Sequence, residues 1–343
     1  MTLYIHIPFC TSRCGYCAFN TFSNSLHLKE PYICALISDI KASAKKVCDK
    51  TLDSIFIGGG TPNTLETSDL ARIFETIYEN FAISKHCEIT SEANPDLATK
   101  SWLKCAKSLG VTRISFGAQS FLQDKLDYLQ REHNADNILK ALDLASEFEN
   151  LSIDLIYNTP LDTKNRLEAE LEIIKKLNIN HISAYSLELE SGAKTKLENN
   201  VLDFSHFLAQ GLSQIGFSQY EVSNFGAPYK CKHNLSYWSG LDYLGVGAGG
   251  ISKIGNSRFY PHNAIPHYIQ NPHFRNIERL SFKDLQIEAL FLGLRSEIGV
   301  PLKILKNESK IKYLCENNCY IKNDRLFAKD YFLGDELALF LMD

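Results

Sequence analysis

Up to about residue 216 the chain alternates between two hydrophobic periods. Short β-prone runs fall at residues 3–7, 54–57, 87–90, 113–116, 151–156 and 181–187. Between them apolar residues recur at spacings of three and four. Ile33, Leu36, Ile37, Ile40, Ala44 and Val47 make one stripe, and Leu70, Ile73, Phe74, Ile77 and Phe81 make the next. Trp102, Cys105, Ala106 and Leu109 continue the series, followed by Ile138, Ala141, Leu142 and Ala145. Leu167, Leu171, Ile174 and Leu177 form a fifth stripe, and Phe204, Phe207, Leu208, Leu212 and Ile215 a sixth. Such stripes mark helices with one buried face, and the short runs mark strands. Six β-then-α units in succession predict an α/β fold with a parallel sheet and helices outside it. Periodicity alone does not choose between an open doubly wound sheet and a partial barrel.

The pattern changes after Phe217. Residues 217–280 hold Gly245, Gly247, Gly249, Gly250 and Gly255, several aromatics and no long helical stripe. Ser281 followed by Asp284 reads as a capping box opening a helix, so residues 281–343 form a small helical or winged C-terminal domain. The expected division is therefore 1–216, 217–280 and 281–343. The chain shows no internal repeat, low-complexity tract or long charge run. Its 343 residues, 45% hydrophobic and 22% charged, suit a globular protein with a sizeable core. A net charge of -4 gives no bulk drive toward nucleic acid or an anionic membrane. No basic stretch leads into an apolar run at the start, and no apolar run approaches the ~18 residues of a membrane span. A cytoplasmic location is expected.

Ten cysteines then change the picture. In a large chain without a secretory leader they read as reduced thiols, some of them metal ligands, rather than a disulfide framework. Cys10-x3-Cys14-x2-Cys17 falls just after the first strand, in a segment with Thr11, Ser12, Arg13 and Gly15. A structural zinc site needs four closed ligands, usually as two separated pairs, and Cys315 and Cys319 are the nearest thing to a second pair. Three thiolates on a [4Fe–4S] cube leave one iron open, unlike the four-cysteine ligation of electron-transfer clusters. A thioredoxin-like redox pair at Cys14 and Cys17, or three buried core thiols, are the competing readings.

Other polar residues gather where strands end, the usual place for ligands in such folds. Gly58-Gly59-Gly60-Thr61-Pro62 follows the second strand, Glu92-Ala93-Asn94-Pro95 the third and Gln119 the fourth, while Asp154 sits within the fifth. The glycines allow a ligand close to the backbone, although a plain tight turn has the same look. The Gly-Lys-Ser/Thr ending of a phosphate-binding loop is absent.

The three cysteines after a first strand, with Tyr16 before the last of them, resemble the radical S-adenosylmethionine (SAM) superfamily. In that superfamily the open iron binds the amino and carboxylate groups of SAM, and reduction of the cluster cleaves SAM to a 5′-deoxyadenosyl radical. Tyr4-Ile5-His6-Ile7-Pro8-Phe9-Cys10 resembles more narrowly the anaerobic coproporphyrinogen III oxidase family, which includes a branch of heme chaperones. The resemblance implies a partial (β/α)6 barrel with a smaller C-terminal domain. It implies Cys10, Cys14 and Cys17 as cluster ligands, and Tyr4, Gly59, Gly60, Thr61, Glu92, Gln119, Arg131, Asp154 and Ile251 as SAM contacts. Glu92 and Asp154 suit ribose hydroxyls or the ammonium group, and Arg131 suits a carboxylate.

Two features distinguish the branches. The oxidase resembles Cys-x3-Cys-x2-Cys-x-Cys, and here Phe19 stands at the fourth position. The oxidase also carries an extension before its first strand, whereas this strand begins within three residues of Met1. His233-Asn234-Leu235-Ser236-Tyr237-Trp238, shortly after Cys231, resembles the string associated with heme in the chaperone branch. Histidine is a common axial ligand of heme iron, and Tyr237 and Trp238 offer a flat apolar wall. A hydrogen-bonded structural histidine is the alternative, and Cys231 reads either as another ligand or as a buried thiol. The expected function is thus a heme chaperone carrying a [4Fe–4S] cluster, SAM and heme, with His233 as the heme residue. Its rival is a radical SAM enzyme that oxidatively decarboxylates a porphyrinogen. Expected partners are heme, a heme-acceptor protein and a second copy of the chain, with membrane association only through the acceptor.

Overall fold

In a computed structural model, which describes residues 1–189, 195 and 201–342, the six expected strands lie side by side in chain order. They are β1 (Thr2–Ile7), β2 (Thr51–Gly59), β3 (Ala82–Ala93), β4 (Arg113–Gln119), β5 (Asn150–Tyr157) and β6 (His181–Ser186). Each pairs in parallel with the next. Between them run α1 (Lys29–Ala44), α2 (Thr67–Asn80), α3 (Lys100–Ser108), α4 (Gln123–Tyr128), α5 (Ala135–Leu144) and α6 (Lys164–Ile174), and α7 (Ser205–Gln214) follows β6.

Parallel crossovers are right-handed, so strands taken in strict order place all their helices on one face. A doubly wound sheet would reverse its order partway. The sequential order therefore resolves the question that periodicity left open, in favour of a partial barrel. Alternation along the strands follows from this. Leu3, Ile5, Ile7, Ile55, Ile57, Ile114, Phe116, Ile153 and Ile182 are completely buried in the main hydrophobic core. Tyr4, His6, Phe56, Glu92, Arg113 and Asp154, at the intervening positions, share the opposite face.

Residues 217–280 extend this sheet at both edges. Strands β7 (Ser218–Gln219) and β8 (Asn224–Gly226) join it beside β6, and α8 (Lys232–Trp238) follows. At the other edge β9 (Tyr243–Val246) runs parallel to β1, continued antiparallel by β10 (Ser252–Ile254), β11 (Ser257–Tyr260) and, after α9 (Ile265–Gln270), β12 (Asn276–Arg279). The C-terminal part has its own core and a three-stranded sheet. It comprises α10 (Phe282–Leu294), β13 (Val300–Pro301), α11 (Glu308–Asn317), β14 (Cys319–Lys322), β15 (Arg325–Ala328) and α12 (Gly334–Met342). The expected capping box opens α10. Ser281 Oγ accepts from the Asp284 amide at 3.2 Å, and Asp284 accepts from the Ser281 amide at 2.8 Å.

Two elements exceed their sequence signal. Strand β3 begins at Ala82, and its exposed polar start around Lys85 and His86 carries no apolar alternation. Helix α4 is six residues long, too short for a stripe. Among the described residues no helix is long and apolar enough to cross a membrane.

The loops leaving β4 and β5 are anchored by a buried charge triad. Lys125 Nζ lies 2.8 Å from Asp162 and 3.0 Å from Glu170, and all three side chains are almost fully buried. Asp162 also accepts from the amide and hydroxyl of Thr159, and Glu170 from the Phe121 amide and the Ser120 hydroxyl. Lys125→Met leaves two carboxylates facing each other without their cation, so it should cost about 3–5 kcal/mol. Urea unfolding followed by circular dichroism measures this, and a loss below about 1 kcal/mol would show that the triad is not what holds these loops.

Candidate functional site

The barrel mouth is built around the exit of β1. The Gly60 amide donates to the Ile7 carbonyl at 2.7 Å and the Thr61 amide to the Phe9 carbonyl at 2.7 Å, so the glycine turn after β2 grips the chain just before Cys10. The Phe22 amide returns to the Pro8 carbonyl at 2.8 Å and closes the base of the cysteine loop. Cys10, Cys14 and Cys17 are partly exposed within it, and none forms a disulfide. Each sulfur has its own polar neighbour. Thr61 Oγ1 donates to Cys10 Sγ at 3.4 Å, Arg131 Nη1 donates to Cys14 Sγ at 3.0 Å, and Thr21 Oγ1 lies 3.7 Å from Cys17 Sγ.

This donor set suits thiolates on an iron–sulfur cluster, whose potential is tuned by hydrogen bonds to sulfur. Among the described residues no three His, Cys, Asp or Glu side chains stand close enough to hold a single metal ion. A four-iron cube spreads its thiolates farther apart than one ion does.

The remaining carried-over positions converge on the same mouth. Gly59 has φ +107°, and a Cβ there would stand 2.4 Å from the His6 ring, so only glycine fits. Its amide donates to Glu92 at 3.0 Å. A Cβ on Gly60 would lie 2.6 Å from the Phe9 carbonyl oxygen. Gln119 sits at the end of β4 with φ 67°, a left-handed conformation that costs a non-glycine residue about 1–3 kcal/mol. Arg131 spans the mouth. Its Nη2 donates to Asn94 Oδ1 at 3.0 Å and to the Gly117 carbonyl at 2.9 Å, while its buried Nε has no partner among the described residues. Ile251 stands on the rim, 36% exposed, after a loop tied to α1. There the Ala248 amide donates to the Tyr32 hydroxyl at 3.0 Å, and the Gly247 amide to Asp39 at 3.2 Å.

Electrostatics distinguish the two acids of the mouth from ordinary surface carboxylates. Enclosure, with the nearby Asp154 charge adding to it, raises Glu92 to about 7, while the Gly59 hydrogen bond and Arg113 pull the other way. Enclosure also raises Asp154, opposed by Arg113 and by hydrogen bonds from Ser183 and Ser115. Arg113 itself is almost completely buried, its Nη2 3.1 Å from His181 Nδ1.

His233 lies apart from this mouth. Helix α8 closes the barrel floor, where Glu88 accepts the backbone amides of Lys232 at 2.8 Å and His233 at 3.0 Å. The His233 side chain enters the barrel, 1% exposed, with Nδ1 3.1 Å from Ser54 Oγ. Burial lowers its pKa to about 3, so the ring is neutral. As placed, it offers no open approach to a porphyrin. At the other end of α8, Trp238 lines a cavity of about 230 Å³ shared with Lys253, Glu288, Leu292 and Arg325. Phe19, beyond the last cysteine, is 69% exposed.

The sequence reading missed the residues that connect these parts. His6 bridges Tyr4, whose hydroxyl lies 3.0 Å from Nδ1, to the Asn20 carbonyl 2.9 Å from Nε2. Because a carbonyl only accepts, Nε2 carries the proton and Nδ1 accepts from Tyr4. The Asn20 side chain in turn donates to the Ala248 and Asn263 carbonyls. The period-two placement of Tyr4 and His6 on one strand face was the available signal. Arg113, a charge inside an apolar strand, was another.

Comparison with known proteins agrees with this architecture. The radical SAM superfamily pattern matches residues 4–174. A heme chaperone HemW of Bacillus subtilis is 33% identical over 320 residues, covering 88% of this chain and 84% of that protein. One from Mycobacterium tuberculosis is 30% identical, covering 88% and 83%. The structure of coproporphyrinogen III oxidase from Escherichia coli superposes with a TM-score of 0.85 at 21% identity, over 99% of this chain and 89% of that one, a likeness of fold.

The grip of the glycine turn on β1 makes a direct prediction. Gly60→Ala forces its Cβ against the Ile7 and Phe9 carbonyls, an overpacking that costs about 1–3 kcal/mol. It should also lower the iron retained per chain after anaerobic reconstitution, read by iron assay and the cluster absorbance. Wild-type iron retention in this variant would refute the grip as a determinant of the cysteine loop.

Proposed function

Because this chain belongs to the radical SAM superfamily, and within it to the HemW family, we propose that it is a heme chaperone. In this reading it binds heme and passes it to an acceptor protein in the cytoplasm, carrying a [4Fe–4S] cluster and SAM. Cys10, Cys14 and Cys17 would hold the cluster. Tyr4, Gly59, Gly60, Thr61, Glu92, Gln119, Arg131, Asp154 and Ile251 would line SAM. When bound, the cluster supplies one-electron chemistry toward SAM. The chain's own residues supply the rest. Thr61 and Arg131 direct donors at sulfur, Glu92 and Asp154 present acceptors on one face, and the glycine turn lets the ligand approach the backbone.

The observation that favours the chaperone over the porphyrinogen oxidase is Phe19 at the fourth-cysteine position, together with the His233 to Trp238 string. His233 can reach heme iron only if α8 leaves the barrel floor, because the docked ring is buried. Titrating hemin into the anaerobically reconstituted protein, followed by its Soret band, should give saturable, stoichiometric binding. Release of decarboxylated porphyrinogen in proportion to SAM consumed, without specific heme binding, would instead establish the oxidase.

The acids of the mouth make SAM binding sensitive to pH. Glu92, raised to about 7, is largely protonated below that pH and ionised above it. If it accepts from the ammonium or ribose hydroxyls of SAM, binding favours its ionised form and expels a proton. Affinity should therefore fall as pH drops through about 7, with proton release detected by calorimetry in buffers of different ionisation enthalpy. Glu92→Gln should remove that dependence. An affinity that rises toward acid pH would mean that Glu92 donates rather than accepts.

A further inference from the structure

The His233 side chain reaches from the barrel floor to Tyr4, one of the proposed SAM contacts. Glu88, on the inner face of β3, receives the amides of Lys232 and His233, the Cys231 thiol at 3.3 Å and the Tyr229 hydroxyl. A carboxylate here meets the positive end of the helix and fixes where α8 begins. The first turn then sends the His233 side chain upward between β1 and β2. Its ring lies 4.9 Å from Phe56, 4.8 Å from Tyr237 and 6.5 Å from Tyr4, and Phe56 lies 6.2 Å from Tyr4.

Tyr4 is thus held in two ways. His6 fixes its hydroxyl, and Phe56 and His233 support its ring. On the His233 ring, Nδ1 is used by Ser54 and Nε2 is buried without a partner among the described residues. The engaged features are the aromatic surface and one nitrogen.

We propose that His233 is a positioning residue for Tyr4 in the SAM site, acting through ring packing, and is not the heme iron ligand. The inference rests on the reading of the barrel mouth as a SAM site. It separates two properties of the string. Its histidine end belongs to the SAM site, and heme binding, where it occurs, does not depend on the imidazole nitrogen.

The test uses the full chain, anaerobically reconstituted, with SAM affinity measured by calorimetry and hemin binding by the Soret titration. Wild type is compared with His233→Ala, which removes the ring, and His233→Phe, which keeps a ring but cannot ligate iron. His233→Ala should bind SAM about tenfold more weakly, a difference of about 1.4 kcal/mol. His233→Phe should restore SAM affinity, and hemin binding should match wild type in both. Wild-type SAM affinity in His233→Ala would overturn the positioning role. Loss of the heme band in His233→Phe, with SAM affinity intact, would make His233 the ligand. If the alanine variant does not fold, His233→Asn takes its place, because it keeps a polar group toward Ser54 while removing the ring, and it should show the same weakened SAM binding. Wild type that binds no SAM would refute the SAM reading itself, before any variant is compared.

Discussion

A strand sends successive side chains to opposite faces, and right-handed crossovers in strict order place every helix against the same one. Most of what this molecule can do depends on that constraint. In β1 the residues Leu3, Ile5 and Ile7 are completely buried beneath the helices, which leaves Tyr4 and His6 free of any duty in that core. The same division recurs in β2, where Ile55 and Ile57 are buried and Phe56 faces the interior, and in β4 with Ile114 and Phe116 against Arg113 and Ser115. A polar inner face is tolerable because the apolar stabilisation comes from the other side.

That inner face holds a dense set of charges in limited water. Arg113 lies near Glu88, Glu92 and Asp154, so a single buried cation serves acids at both the floor and the mouth. Burial and the same cation keep His181 and His233 neutral, avoiding further positive charge. The compensation is incomplete. Buried polar groups without a partner are few in folded proteins, yet among the described residues Thr90 Oγ1, two nitrogens of Arg113, Arg131 Nε and His233 Nε2, all of this interior, lack one. A barrel that met all its own polar needs would have nothing left with which to recognise a ligand. Unmet polar atoms on the inner face, from the floor at His233 to the mouth at Arg131, are what a binding interior requires.

Much of the fold could be read from the chain because it rests on local periodicity. The six strands and their helical stripes needed only apolar spacing, and the Ser281 capping box needed only three residues. Closure was different, because the choice between a doubly wound sheet and a barrel lies in strand order, which no window of sequence contains. The start of β3 escaped notice because its exposed residues do not alternate. The site divides in the same way. The cysteines and the glycine turn could be read as short strings, each local to one strand end. His6, Asn20 and Arg113 act by joining segments far apart in the chain, such as Asn20 to Ala248, and no spacing rule reports such a contact.

Helix α8 shows how far one short element can connect distant parts. It is seven residues long, too short to be stable by itself, and it persists because each end is fixed by a different neighbour. Glu88 of the barrel takes its first amides. At its far end Trp238 lies 5.7 Å beneath the Arg295 guanidinium, at the close of α10, beside the cavity that α10 also lines. A helix anchored in this way cannot shift at one end without disturbing the other. In physical terms, residues 233–238 are the joint between the C-terminal core and the barrel floor.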